Sequence, residues 1–129
     1  VKPKADKNVL VWVGSIPEDR LHISVITLGE LHKGICKLGP CDRQNRLLRW
    51  LDVDVRQRFE GRILALDEDT LLHWGRLAGE AERCGKPQPI IDSLLAASAV
   101  ANHLTLVTRN IADMEQTGVE ILDPWVRAD

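Results

Sequence analysis

The chain has 129 residues, 44% hydrophobic and 28% charged, with a formal net charge of −2. These are ordinary values for one soluble globular domain, and a chain of this length buries roughly two-thirds of its unfolded surface. They exclude a globally basic nucleic-acid binder, so a polynucleotide would have to be held by a local patch.

No apolar run approaches the roughly 20 residues that span a bilayer, so no membrane partner is expected. Val1-Lys2-Pro3-Lys4 leads into charged residues rather than an apolar leader. Cys36, Cys41 and Cys84 are odd in number and unpatterned, which points to a reducing, cytoplasmic setting.

In chain order, residues 6–13 carry Val9, Leu10, Trp12 and Val13 and predict a short helix ended by Gly14-Ser15 and Pro17. "LHISVIT" (21–27) alternates and is rich in β-branched residues, predicting a strand. "TLGELHKGICKL" then places Leu28, Leu31, Ile35 and Leu38 on one helical face, and Gly39-Pro40 stops it. Residues 41–60 predict a charged helix or helix pair, with Leu47, Leu48, Trp50 and Leu51 as its apolar side. A strand "RILAL" (62–66), a helix ending at Gly85 and the apolar helix "PIIDSLLAASAVA" (89–101) follow. The chain closes with a strand "LTLVT" (104–108), a short helix "NIADMEQTG" and a strand "VEILDPW". Strands separated by helices pair in parallel through crossovers, so the expected class is α/β, a parallel sheet flanked by helices.

Three acids share a position in this pattern. Glu30 follows the strand ending at Thr27, Asp113 follows the strand ending at Thr108, and Asp92 lies in the first turn of the apolar helix. In open parallel sheets, ligands bind beside the C-terminal strand ends and the helix N-termini that follow. Three carboxylates converging there would suit Mg²⁺ or Mn²⁺, which take hard oxygen ligands. Each acid singly also fits a cap. Thr27 with Glu30, and Asn110 with Asp113, have capping-box spacing, and the macrodipole favours Asp92. Capping suits Asp92 least, because so apolar a helix leaves little exposed face, and an unpaired buried carboxylate is costly.

Together, "ISVITLGELHKGI", "PIIDSLLAASA", "LVTRNIADM" and the terminal "DPW" resemble the PIN-domain ribonucleases, specifically the VapC toxins of bacterial toxin–antitoxin pairs. The likeness implies a PIN-like fold and a metal-dependent endoribonuclease of RNA, with Mg²⁺ or Mn²⁺ held by Glu30, Asp92 and Asp113. Asn110 would be a further metal ligand and Thr108 would support the site. It also implies a cognate antitoxin protein and a homodimer, the latter through helical surfaces carrying Trp12 or Ile35. Family members open with a strand ending in an aspartate, for which residues 1–129 have no counterpart. The expectation is a single PIN-like domain, N-terminally incomplete, with roughly a dozen residues preceding Val1. Asp6 is expected to cap the first helix rather than replace that aspartate.

Arg109 adjoins the expected site and is a candidate contact for a substrate phosphate. Arg43, Arg46, Arg49, Arg56, Arg58 and Arg62 would be either a solvated face interleaved with acids or a phosphate-contacting stripe. His32, Cys36 and Cys41 lack the further ligand that would complete a four-coordinate zinc site. The scattered Trp12, Trp50, Trp74 and Trp125 are expected in core or interface. The competing function class is a non-catalytic PIN-like module that binds RNA or protein. Metal-dependent RNA cleavage separates the two.

Overall fold

The computed structural model describes residues 15–108 and 117–122. They divide into two compact units, one spanning Ile16–Ala65, the other containing Ser15 and the described residues from Leu66 onward. The expected helix at 6–13, nearly all of the one at 110–118, and Trp12, Trp125, Arg109, Asn110 and Asp113 lie outside the described residues.

The first unit opens with a 3₁₀ turn (Glu18–Arg20) and strand β1 (Ile23–Ser24), followed directly by helix α1 (Val25–Cys36). The β-branched run predicts a strand to Thr27, yet the helix begins three residues earlier. Ser24 is the reason: its side chain accepts a hydrogen bond from the Ile26 N–H at 3.0 Å and so caps the helix. Val25, Ile26 and Thr27 then join the helix in spite of their propensity, because Leu28, Leu31 and Ile35 can pack into the core behind them.

Helix α2 (Asp42–Arg49) runs into a π-helical turn (Trp50–Val55) and a short α3 (Arg56–Arg58). Leu47, Leu51 and Val55 are its buried residues. In a regular α-helix such an i, i+4, i+8 row swings about 80° around the axis. The wider π turn winds back part of that drift and keeps all three side chains on the core. Ile35 completes this cluster, with Ile23, Leu48 and Phe59 packed against it. Strand β2 (Ile63–Leu64) pairs with β1 in parallel, Ile23 opposite Ile63 and Ser24 opposite Leu64. The expected "RILAL" strand is thus two residues long.

One side chain staples this unit. Arg62 donates to the carbonyls of Glu18 and Arg58, and to that of Leu21 at 2.9 Å, with its guanidinium 5.5 Å from the Phe59 ring centre. Arg58 pairs with Glu18 at 3.2 Å. Arg62 therefore fits neither the solvated face nor the phosphate stripe: three of its five donors go to backbone carbonyls. Arg43, Arg46, Arg49 and Arg56 are exposed.

The second unit holds helices α4 (Glu68–Arg83) and α5 (Ile90–Ala101). Asp67 caps α4 by accepting the Thr70 N–H at 2.9 Å, and that bond holds its carboxyl below the ordinary value of 3.8. The helix ends in a Schellman turn, Lys86 N–H to Ala81 carbonyl at 2.8 Å, with Gly85 at φ +74°. Helix α5 ends the same way, Leu104 N–H to Ala99 carbonyl at 2.8 Å, but the left-handed position there is His103 at φ +56°. Strand β3 (Leu106–Val107) pairs in parallel with β4 (Ile121–Leu122), Leu106 opposite Ile121; β3 is shorter than expected and β4 starts two residues later than expected. Ala96, Ala99 and Val119 form the core of this unit, with Leu104, Leu106 and Ile121 around them. No helix among the described residues is long and apolar enough to cross a membrane.

Candidate active site

Glu30 belongs to the first unit and Asp92 to the second. With Ser24 as N-cap, Val25, Ile26 and Thr27 are the first three residues of α1 and Glu30 is the sixth. Thr27 is not the cap, so the expected capping box does not exist. Glu30 projects from the second turn, exposed to solvent, with no helix terminus to serve. Its cap role is removed.

Asp92 is the third residue of α5, whose N-cap is Pro89, a residue without a side-chain hydrogen bond to offer. The expectation that α5 is buried all round holds only for Ser93 and for residues 96–99; the other residues from 94 on are half-buried. Ile90 is 66% exposed and Ile91 is also exposed, whereas Ser93 and Ala96–Ala99 are buried. Asp92 is half-buried at the border between these stretches and makes polar contact with its surroundings. A carboxylate in the first turn also sits at the positive end of the helix dipole.

What fixes the first turn of α5 is its neighbour. Ser93 Oγ donates to the Ile90 carbonyl at 2.8 Å and accepts from Trp74 Nε1 of α4 at 2.9 Å. A buried indole N–H needs a partner, so the Trp74–Ser93 bond sets the rotation of α5 and hence the direction of Asp92. The sequence carried a signal for it: one Trp on α4, and a serine on the innermost face of an apolar helix. Thr108 lies at the C-terminal end of β3, its N–H bonded to the Leu122 carbonyl at 3.0 Å, half-buried and in polar contact. That is the strand-end position expected of it.

With Asn110, Asp113 and Arg109 outside the described residues, no trio of His, Cys, Asp or Glu side chains gathers among the described residues. The donor chemistry of Glu30 and Asp92 is uniformly hard oxygen, which fits Mg²⁺ or Mn²⁺ and not a soft metal. Ile35, expected on a dimer surface, is only 6% exposed and belongs to the first unit's core. Trp50, by contrast, is exposed. Cys41 serves as N-cap of α2, its sulfur accepting the Gln44 N–H at 3.3 Å.

The PIN domain family model matches residues 3–119. A VapC ribonuclease (Y4jK) of Sinorhizobium fredii is 30% identical over 96% of this chain and 89% of its own length. Toxin FitB of Neisseria gonorrhoeae is 28% identical over 97% of the chain and 90% of its own length. Among solved structures, FitAB bound to a DNA fragment superposes with a TM-score of 0.92 at 25% identity, covering 99% of this chain and 90% of that one. DNA-bound VapBC from Salmonella typhimurium gives 0.76 at 28% identity, covering 92% and 85%. The parallel strand pairs, the flanking helices and this continuous likeness make the chain a member of the PIN-domain family, of the VapC toxin type.

Proposed function

We propose that the protein is a metal-dependent endoribonuclease, the toxin of a type II toxin–antitoxin pair, acting in the cytoplasm. The observation that carries this reading is the unbroken family match from residue 3 to residue 119, which takes in Glu30, Asp92 and Asp113 together. The ribonuclease and toxin names of the relatives support it. Glu30, Asp92 and Asp113 would hold Mg²⁺ or Mn²⁺, with Asn110 beside them. A bound cation there supplies Lewis acidity at the scissile phosphate and lowers the pKa of a water.

The chain's own residues do the rest. Ser93 and Trp74 orient the Asp92 turn, Thr108 supports the strand end, and Arg109 binds a substrate phosphate by charge-assisted hydrogen bonds. The partner is an antitoxin protein, a reading supported by the FitAB and VapBC complexes among the similar structures. An arginine from such a partner would neutralise the carboxylates. The protein itself is proposed to be a homodimer.

Asp92→Asn keeps the shape and removes the charge. RNA cleavage by the purified protein in Mg²⁺ should fall about 100-fold or more in this variant, with circular dichroism unchanged. Chelation should abolish the wild-type activity. Cleavage that survives both treatments overturns the reading, and tight RNA binding without cleavage would favour the non-catalytic module.

A further inference from the structure

The exposed side of the last turns of α1 carries a second pair of metal-binding groups, chemically unlike the carboxylates. Cys36 Sγ and His32 Nδ1 lie 3.6 Å apart, one helical turn from each other, and both residues are exposed. Two donors on a tetrahedral zinc ion, with Zn–S about 2.3 Å and Zn–N about 2.0–2.1 Å, stand about 3.5–3.6 Å apart. The observed separation is already that bite. The two groups are within hydrogen-bonding distance of each other, and a shared cation would need only a modest turn of the two side chains.

The backbone under the pair is fixed. Gln44 Nε2 donates to the Ile35 carbonyl at 3.3 Å and to the Cys36 carbonyl at 3.4 Å, clasping the end of α1. The helix dipole places its negative end here, which favours a cation, although most of the last carbonyls already accept backbone or Gln44 hydrogen bonds. Lys33 and Lys37 are the nearest positive charges in sequence; each is about 100° around the helix from its sequence neighbour in the pair, although Lys33 is only about 60° from Cys36. Glu30 is about 200° from His32, on the other side of α1, so this is not the carboxylate site.

We propose that His32 and Cys36 chelate a thiophilic divalent cation, Zn²⁺ being the biological candidate, with water completing the tetrahedron. This is an exposed two-ligand site, distinct from the four-ligand structural site that the sequence rules out. Soft thiolate with imidazole selects zinc over the Mg²⁺ suited to Glu30 and Asp92.

Cobalt(II) is the probe, because only thiolate ligation gives a near-ultraviolet sulfur-to-cobalt charge-transfer band. The whole protein, reduced and in excess Mg²⁺, is titrated with Co²⁺ and then with Zn²⁺. The expected result is a saturable band that Zn²⁺ bleaches. It should vanish in Cys36→Ser, persist in Cys41→Ser and Cys84→Ser, and need about tenfold or more Co²⁺ in His32→Ala. All three cysteines are free and exposed, so the serine controls are matched. No band in the wild type, a band that follows Cys41 or Cys84, or unchanged affinity in His32→Ala would each overturn the proposal.

Discussion

The first unit packs its helices with large branched side chains, Ile35, Leu47, Leu51 and Val55, whereas the second uses Ala96, Ala97, Ala99, Ser93 and Ser98. Small residues let α4 and α5 approach closely, and the little apolar area they bury is supplemented by a directional bond, Trp74 to Ser93. Large side chains hold a helix by area, which tolerates small rotations. A tight seam with one indole hydrogen bond fixes rotation instead. The carboxylates follow suit: Glu30 is an exposed group on an area-packed helix, and Asp92 a half-buried one beside the seam.

The contrast breaks if the two units answer alike to changes in side-chain volume. Leu51 is buried at the centre of the first cluster, so Leu51→Ala should cost about 2–5 kcal/mol in denaturant titration. In the second unit the damaging change runs the other way. Ala96→Leu has no free space to enter and should cost about 1–3 kcal/mol by overpacking, again read from the denaturant midpoint. If Ala96→Leu is neutral, the second unit's core is not tightly packed and the comparison fails.

A smaller, opposite effect sharpens it. The ends of α4 and α5 have the same turn, with Gly85 in one and His103 in the other at positive φ. A side chain there costs about 1–2 kcal/mol, partly offset by the greater freedom glycine has when unfolded. His103→Gly should therefore stabilise the protein by about 0.5–1 kcal/mol, seen as a higher melting temperature.

The smallest effect concerns the cap of α4. The Asp67 carboxyl is held below its ordinary value by the Thr70 N–H, so its charged form is the one the fold favours. Its contribution is complete above the usual carboxylate range and disappears as pH falls through the lowered value. Asp67→Asn should flatten that acid limb in unfolding midpoints measured across a pH series.

Most helices were legible because they are long and periodic. The exact start of α1 was not, since Val25, Ile26 and Thr27 favour a strand locally and only the Ser24 cap, the buried Ile35 and the half-buried Leu28 and Leu31 decide otherwise. That one shift changed the meaning of Glu30 from a capping residue to a projecting carboxylate. Arg62 escaped for a related reason: its position among arginines left open a solvated face or a phosphate stripe, while its partners are backbone carbonyls that no local pattern reveals. Asp92 was picked out by its apolar company, but the exposure of Ile90 and Ile91 depends on tertiary packing and was invisible.

The Arg62 staple has a kinetic meaning. Its acceptors on Glu18 and Leu21 are 44 and 41 residues away along the chain. Closing a loop of that size costs about 3 kcal/mol in chain entropy beyond a constant, whereas α1 and α2 form from neighbours within a few residues. The guanidinium can meet the Glu18 and Leu21 carbonyls only after the helices between them have condensed, so these two bonds are expected among the last contacts made and the first lost. Contacts of that kind leave the folding rate nearly untouched and slow the escape from the native state. Arg62→Ala should therefore speed unfolding while leaving the folding rate nearly unchanged, as expected of a latch set after assembly.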